Sequence, residues 1–218
     1  KVNYIDIPKL SFEKFLDKCN ELINYRKAPI ATISYYIHSF ISQKCKDNNG
    51  KVILSGTGAD EFFTGYYDHH LFFLNEIKDK NIFNDELQIW KKFTEKTIRN
   101  KKLKLENFLN NPFFRDHIYS NDDNIFKISD YSLFSEKNYD DNNLKNRMKN
   151  EIFHETVPVI LYEDDVNSMK HSIENRSPFL SKDLYNLLFS IDSSKFIKNG
   201  YPKYILRDIV KGYLPDKI

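Results

Sequence analysis

The sequence has few cysteines, few glycines and no long apolar run. Its 218 residues include two cysteines, Cys19 and Cys45, and six glycines. Neither cysteine has the close Cys or His neighbours of a zinc site, which favours reduced thiols inside a cell. No apolar run approaches the ~20 residues that span a bilayer, and no signal segment is visible at the start. We therefore expect a cytoplasmic protein.

Positive and negative residues are nearly balanced in number. Lys and Arg number 33 and Asp and Glu number 31, for a net charge of +2. This balance provides no strong field for nucleic acid or a membrane surface. The 14 tyrosines and 18 phenylalanines fall at helical core spacing and lack the interleaved basic stripe of a nucleic-acid stacking surface. We expect neither a nucleic-acid partner nor a membrane.

Apolar spacing predicts two helices and then one buried strand near the front of the chain. Ser11 is the predicted N-cap of the first helix, which ends before Pro29. "TISYYIHSFISQKC" predicts the second helix, "KDNNG" a stop and a turn, and "KVILS" the strand. A strand that leads into a ligand loop is typical of an α/β fold. The predicted apolar face of the first helix consists of Phe12, Phe15, Leu16, Cys19, Leu22 and Ile23.

Helical periodicity dominates the rest of the chain. From about Phe62 onward we find no further strand pattern and expect mostly helices. Residues 100–145 are polar and broken by Pro112, which predicts a peripheral insertion or a loosely ordered segment. His69 and His70 are adjacent, so on a helix they cannot share a metal as an i, i+4 pair would. The isolated histidines His117, His154 and His171 are expected to be ordinary surface or core residues.

Two of the six glycines stand close together in "VILSGTGADEFFTGYY", before Asp60 and Glu61. A strand that ends in Ser-Gly-x-Gly can present backbone N–H groups from a tight turn and let a phosphate approach closely. Asp60 can then hold Mg²⁺ that also binds substrate phosphates. On chemistry alone an ordinary turn explains the pattern equally well, since Asp-Glu favours the start of a helix.

Three blocks in register carry a more specific signal. "LSGTGADEFFTGYY", "EDDVNSMKHSIENRSPFL" and "GYPKYILRDIVKGYLPDKI" resemble the synthetase domain of the glutamine-dependent asparagine synthetase family in order and spacing. The resemblance covers nearly all of the chain apart from about residues 75–150. It implies an α/β fold, part of an adenine-nucleotide alpha-hydrolase-like (ATP pyrophosphatase) domain that is mostly helical in its C-terminal half. Residues 1–218 are then a partial synthetase domain.

The resemblance also implies an activity. Members of the family bind ATP and aspartate, form a β-aspartyl-adenylate and let ammonia displace AMP to give asparagine. A separate N-terminal glutaminase domain supplies the ammonia and is the implied protein partner. The implied small-molecule partner is a carboxylate substrate. Whether the protein forms a homodimer is left open. Two alternatives stay open as well. The protein amidates or cyclises another carboxylate, such as a sugar acid or a peptide, or it is a non-catalytic relative that uses the fold for binding.

By the same resemblance, Ser55, Gly56 and Gly58 cradle the pyrophosphate, with Thr57 in the same loop. Asp60 is one of two acidic Mg²⁺ ligands. The expected cofactors are ATP and Mg²⁺.

Further residues follow from the other two blocks. Lys203 contacts phosphate and neutralises charge as pyrophosphate leaves. Glu174 and Arg176 either form a buried ion pair that supports the site floor or touch substrate. Asp164 and Asp165 occupy an acidic position that helps to place a base in related amide-forming cyclases, or they are simply a charged helix turn.

The sequence departs from the family at two points. At the position of Thr57, asparagine synthetases typically carry an acidic residue and β-lactam-forming relatives a tyrosine. A threonine hydroxyl does not ionise at neutral pH, so Glu61, Asp164 or Tyr66 takes the role of base, or the nucleophile is not ammonia. The family's "SGGxDS" phosphate loop and the nucleophilic cysteine of the glutaminase domain are absent from the 218 residues. We therefore expect no turnover from this chain alone.

Overall fold

The structure is a computed structural model that describes residues 11–30, 32–118 and 135–215. Within these ranges the chain is mostly helical and contains one small parallel sheet, which is compatible with the expected α/β class. None of the described helices has the length and apolar character needed to cross a membrane. The segment 100–145 lies partly outside the described residues, but it includes one helix, Leu105–Asn110.

The described helices and strands follow one another in a simple order. They are α1 Phe12–Arg26, α2 Ile33–Asp47, β1 Val52–Leu54, α3 Ala59–Phe63, α4 Tyr67–Glu76, α5 Phe83–Phe93, α6 Leu105–Asn110, α7 Asn143–Phe153, α8 Thr156–Lys170, β2 Glu174–Arg176, α9 Lys182–Ser190 and α10 Tyr204–Ile209. The chain divides into two compact units. Unit 1 comprises residues 1–57 and 155–180, and unit 2 comprises residues 58–154 and 181–218.

Helix α1 of unit 1 begins and ends as its sequence predicts. The Ser11 side chain accepts a hydrogen bond from the Lys14 N–H and satisfies one of the free donors of the first turn. Lys27 ends the helix in the left-handed conformation and donates its N–H to the Ile23 carbonyl. The predicted apolar face is only partly buried: Leu22 is fully enclosed, whereas Phe12 is 74% exposed.

The core of unit 1 forms where α2 meets α1 and α8. The side-chain amide of Asn167 on α8 donates to the Tyr35 carbonyl of α2 over 2.8 Å, which joins the two helices by a buried hydrogen bond. Glu163 of α8 forms a buried ion pair with Arg26 of α1. These contacts fix α8 in place. The core residues are Leu22, Tyr35 and Tyr36, with Phe15, Cys19, Ile30, Phe40 and Val166 packed around them.

The sheet of unit 1 corrects one prediction. Strand β1 lies where "KVILS" predicts it, but it pairs in parallel with a second strand, β2, for which we found no pattern. Val52 lies beside Glu174 and Leu54 beside Arg176. The residues of β2, Glu-Asn-Arg, show no apolar alternation, so periodicity could not reveal the strand. The prediction of no strand after Phe62 was therefore wrong.

Unit 2 is built around the apolar side of α4, which packs against α6 and α7. Phe72 and Phe108 meet edge to face, with ring centroids 5.0 Å apart, and both rings are buried. Leu144 and Met148 of α7 are also buried. Helix α4 therefore serves as the central helix of this unit, in agreement with the helices predicted after Phe62.

A network of buried charges lies inside unit 2. Arg147 of α7 donates to Asp68 at 3.1 Å, to Glu151 at 3.0 Å and to Glu136 at 3.1 Å. His69 contacts Glu151 at 2.7 Å. Burial works against ionisation of Asp68, yet His117, His69 and Arg147 together hold its pKa below the usual range. His117 was expected to be either a surface or a core residue. Its side chain lies in the core, where it contacts Asp68 at 3.0 Å.

His70 is buried beside this network and has no hydrogen-bond partner for either ring nitrogen among the described atoms. Burial lowers the pKa of His70 to about 4. Since the unfolded chain takes up a proton near pH 6.5 and the folded chain does not, stability is complete above that pH and falls as the pH drops towards 4. We expect this histidine to remove about 3 kcal/mol of stability across that interval.

His70→Leu isolates the effect. The difference in unfolding free energy between wild type and variant, measured by urea titration, should change by about 3 kcal/mol between pH 7 and pH 4. His154→Gln is the control, because His154 is half-buried and hydrogen-bonded to Tyr139. If wild type and His70→Leu respond to pH in parallel, His70 is not held neutral in the folded state.

Candidate functional site

In unit 1, the structure brings the loop after β1 together with α8 and α2. The Thr57 hydroxyl contacts the Asp164 carboxylate at 3.1 Å. His38 of α2 places its Nδ1 2.9 Å from the other oxygen of the same carboxylate. The Ser55 hydroxyl lies 2.5 Å from the Thr57 hydroxyl and accepts the Thr57 N–H at 3.0 Å. Four side chains thus form one connected chain of hydrogen bonds.

The protons in this chain can be assigned. An ionised carboxylate only accepts hydrogen bonds, so Asp164 takes one from the Thr57 hydroxyl and one from His38 Nδ1–H. Because Thr57 has a single hydroxyl proton, the Ser55 hydroxyl donates to Thr57. His38 then carries its proton on Nδ1, and its Nε2 is left as a lone-pair acceptor. No described group contacts Nε2.

The two loop glycines differ in their geometry. Gly58 has a φ of 95°, a left-handed conformation that favours glycine, and it caps helix α3. Among the described residues, no atom lies within 4 Å of the place where a Cβ of Gly56 would be, so these residues leave room for a ligand at this point. The Ser55 N–H donates to the Arg176 carbonyl at 2.8 Å, which ties the start of the loop to β2.

In unit 2, the structure pairs two residues that the sequence blocks assign to phosphate chemistry. The Lys203 Nζ lies 2.5 Å from an Asp60 oxygen. Asp60 is in the short helix α3, and Lys203 precedes α10 in the left-handed conformation. A Cβ at Gly65 would collide with the Asp60 carboxyl group. Glycine at this position therefore leaves room for that carboxylate.

Two of the candidate bases contact each other. The Tyr66 hydroxyl donates to Glu61 over 2.6 Å, and the Glu61 side chain is buried. Burial and the Glu61 carboxylate raise the pKa of Tyr66 far above its ordinary value. Tyr66 therefore stays protonated at neutral pH. Of the three proposed bases, Asp164 is the one that contacts Thr57 within unit 1.

Glu174 and Arg176 form an ion pair at 2.8 Å, but the alternative in which this pair is buried was wrong. Their side chains are 57% and 60% exposed. Residues two apart on a strand point to the same face, so the pair lies along one open face of β2. An exposed pair contributes little stability. Because both side chains are exposed, a ligand can reach them.

Asp60 fits the coordination that Mg²⁺ prefers. Its side chain is 44% exposed, and Mg²⁺ is usually bound by one or two carboxylates, water and substrate phosphates. Another group of ligand atoms, from Asp68, His69 and Glu151, lies within 4.8 Å in the core of unit 2. The Arg147 guanidinium already donates to both of these carboxylates. Both of these carboxylates are buried, whereas the Asp60 carboxylate, which has Lys203 as its own cation, is partly exposed and can be reached by a ligand.

Sequence reasoning missed His38. It lies in the middle of "TISYYIHSFISQKC", where its spacing predicts an ordinary helical position. Only its contact with Asp164, far away in the chain, reveals it. A lone histidine before a Ser-Gly-x-Gly strand is too weak a signal to single out.

The sequence was compared with known proteins. The sequence model of the family described as asparagine synthase matches residues 8–218. Comparisons with curated proteins and with solved structures gave no match. The matched range includes Asp60, Lys203 and the four connected side chains of unit 1. The chain belongs to the asparagine synthase family.

Proposed function

We propose that the protein converts aspartate to asparagine through a β-aspartyl-adenylate, using ammonia that a glutaminase domain releases from glutamine. ATP-dependent amidation by ligase-type enzymes is the chemistry of its family. The Asp60–Lys203 pair is the observation that carries the proposal, because the residues to which the family resemblance gives metal and phosphate roles are in contact within one unit. We also propose the adenine-nucleotide alpha-hydrolase fold of the ATP pyrophosphatases.

The residues of the pair have distinct proposed roles. Asp60 holds Mg²⁺, which when bound neutralises phosphate charge. Lys203, which is paired with Asp60 in the structure, would contact the pyrophosphate if Asp60 held Mg²⁺. A flexible point charge is suited to following a leaving group. Both residues are partly exposed, so neither role requires a change in the core.

The loop and β2 complete the proposal. Gly56 and Gly58 contact phosphate through backbone N–H groups beside Ser55, whose own N–H is bonded to the Arg176 carbonyl. The exposed Glu174–Arg176 pair contacts nucleotide or substrate. Thr57 favours a second candidate, amidation or cyclisation of another carboxylate, because its hydroxyl stands where asparagine synthetases carry an acid.

The test is exchange of labelled pyrophosphate into ATP by the intact protein as its gene encodes it. Exchange that requires aspartate supports asparagine synthesis. Exchange that requires another carboxylate, offered as a panel of sugar acids and peptides, supports the second candidate. Absence of exchange with every carboxylate, in protein shown to be folded, contradicts both and favours a binding role.

Asp60→Asn is expected to abolish the Mg²⁺-dependent exchange, because the neutral amide is a poor ligand for this cation. Thermal unfolding should be unchanged, since Asp60 is partly exposed and its ion pair contributes little stability. Asp79→Asn, an exposed acid of the same unit, is the matched control and should exchange normally. Retained exchange in Asp60→Asn removes Asp60 from the metal site.

A further inference from the structure

The connected side chains of unit 1 supply what Thr57 lacks. Threonine cannot accept a proton at neutral pH, but the Thr57 hydroxyl donates to the Asp164 carboxylate at 3.1 Å. Asp164 is nearly buried, with 9% of its side chain exposed, and it is held on both oxygens. Asp164 can therefore orient a base that it contacts. Of its two partners, Thr57 and His38, only the imidazole of His38 can accept a proton at neutral pH.

His38 has the geometry of a proton acceptor. Asp164 fixes the proton on Nδ1 and so leaves the Nε2 lone pair available. The His38 side chain is 44% exposed, so Nε2 can meet a ligand while Nδ1 stays bonded. The carboxylate also stabilises the imidazolium that forms when Nε2 takes up a proton. The arrangement is that of a base oriented by a third group.

The surroundings support a base that works near neutral pH. The hydrogen bond to Asp164, together with the Asp164 charge, raises the pKa of His38 above its ordinary value, although burial opposes the shift. From α8 the charged group that faces His38 is Asp164, and the loop adds the uncharged Thr57 and Ser55. On α1, Arg26 forms its ion pair with Glu163 and not with Asp164. Catalytic bases are most effective when their pKa lies near the working pH.

We propose that His38 Nε2 accepts the proton released when the amine attacks the acyl-adenylate, with Asp164 as its positioning residue. The inference rests on the proposed function. The nitrogen of ammonia forms a bond to the acyl carbon, the bond from that carbon to the phosphate oxygen of AMP breaks, and one proton of the nitrogen passes to Nε2. AMP leaves with the electron pair, and the proton then goes to solvent.

The decisive variant is His38→Asn in the intact protein. Its Nδ2 can still donate to Asp164, as His38 Nδ1 does, but it has no basic nitrogen. Amide formation from ammonium salt should fall by about a hundredfold, while pyrophosphate exchange should change by less than about twofold, because activation of the carboxylate precedes the proton transfer. In His38→Ala, added imidazole should restore part of the amide formation and leave exchange unchanged.

The pH profile separates a base from a structural role. The ratio of the wild-type rate to the His38→Asn rate cancels the ionisation of ammonia. This ratio should rise with pH to a plateau as His38 loses its proton. For Asp164→Asn, the ratio of its rate to the His38→Asn rate should reach a lower plateau than the wild-type ratio does, and pyrophosphate exchange should be retained. His154→Gln is the matched control and should leave both rates unchanged.

The outcomes are distinct. If wild type shows exchange and His38→Asn forms amide at the wild-type rate, the inference is overturned and the proposed function stands. An equal loss of exchange and amide formation in His38→Asn also overturns it, because the residue then acts on folding or on activation. If wild type shows no exchange with any carboxylate, the proposed function fails and this inference fails with it.

Discussion

Replacing Lys203 by Met is expected to lower pyrophosphate exchange by about 10²- to 10³-fold, the usual loss when one charged group that stabilises a transition state is removed. Lys203 lies 2.5 Å from Asp60, and in the proposed function it contacts the pyrophosphate. Met keeps the length and the apolar stem of the side chain but removes the charge. The expected loss is in exchange at saturating ATP, measured in the intact protein with its preferred carboxylate.

The same variant should fold normally. The lysine and aspartate are 29% and 44% exposed, and pairs of this kind contribute about 0–1 kcal/mol. Lys211→Met is the control, because Lys211 is 73% exposed and pairs with the neighbouring Asp208. Exchange near the wild-type rate in Lys203→Met removes this lysine from the phosphate site. A large loss of stability shows instead that the pair is structural.

Replacing Arg147 by Leu is expected to destabilise the protein by about 3–5 kcal/mol, because it leaves buried carboxylates without their counter-charge. Asp68 and Glu151 are both buried and both accept from this guanidinium. Burial alone would lower the pKa of His69, yet Glu151 and Asp68 hold it above the ordinary value, so without Arg147 this one imidazolium is shared between the two carboxylates. Urea unfolding at neutral pH measures the loss.

A second substitution identifies the cause. In the Arg147→Leu background, Glu151→Gln removes one buried negative charge and should recover part of the lost stability, although the same change alone is destabilising. Arg147→Lys should fall between wild type and Arg147→Leu, because one ammonium cannot serve three carboxylates. If Glu151→Gln adds its own loss to that of Arg147→Leu, packing rather than charge determines the effect.

Local features of this fold were predictable because local physics determines them. The Ser11 cap and the stop at Asn48–Gly50 depend on neighbours a few residues away. Strand β1 was found because a β-branched apolar run leads into glycine. The assignment of Asp60 and Lys203 came from family resemblance, and the structure adds that they are in contact.

Features that depend on distant partners were not predictable. Strand β2 exists because β1 pairs with it, whereas its own residues carry no strand pattern. A buried pair was one of the two alternatives for Glu174 and Arg176, but on a strand of a two-stranded sheet both side chains are exposed. His38 acquires its significance only from Asp164. In each case the missing information is a contact between residues far apart in the chain.

The division of unit 1 into two segments determines the order in which the protein can be assembled during synthesis. Strand β1 leaves the ribosome long before β2, its partner in the described sheet, has been made. Residues 58–154 emerge in between, and the contacts of α4 with α6 need only short loop closure, so they can form first. The apolar edge of β1 stays unpaired throughout this interval. An unpaired strand edge is a site at which a nascent chain can associate with another chain, and this edge is covered only when β2 appears.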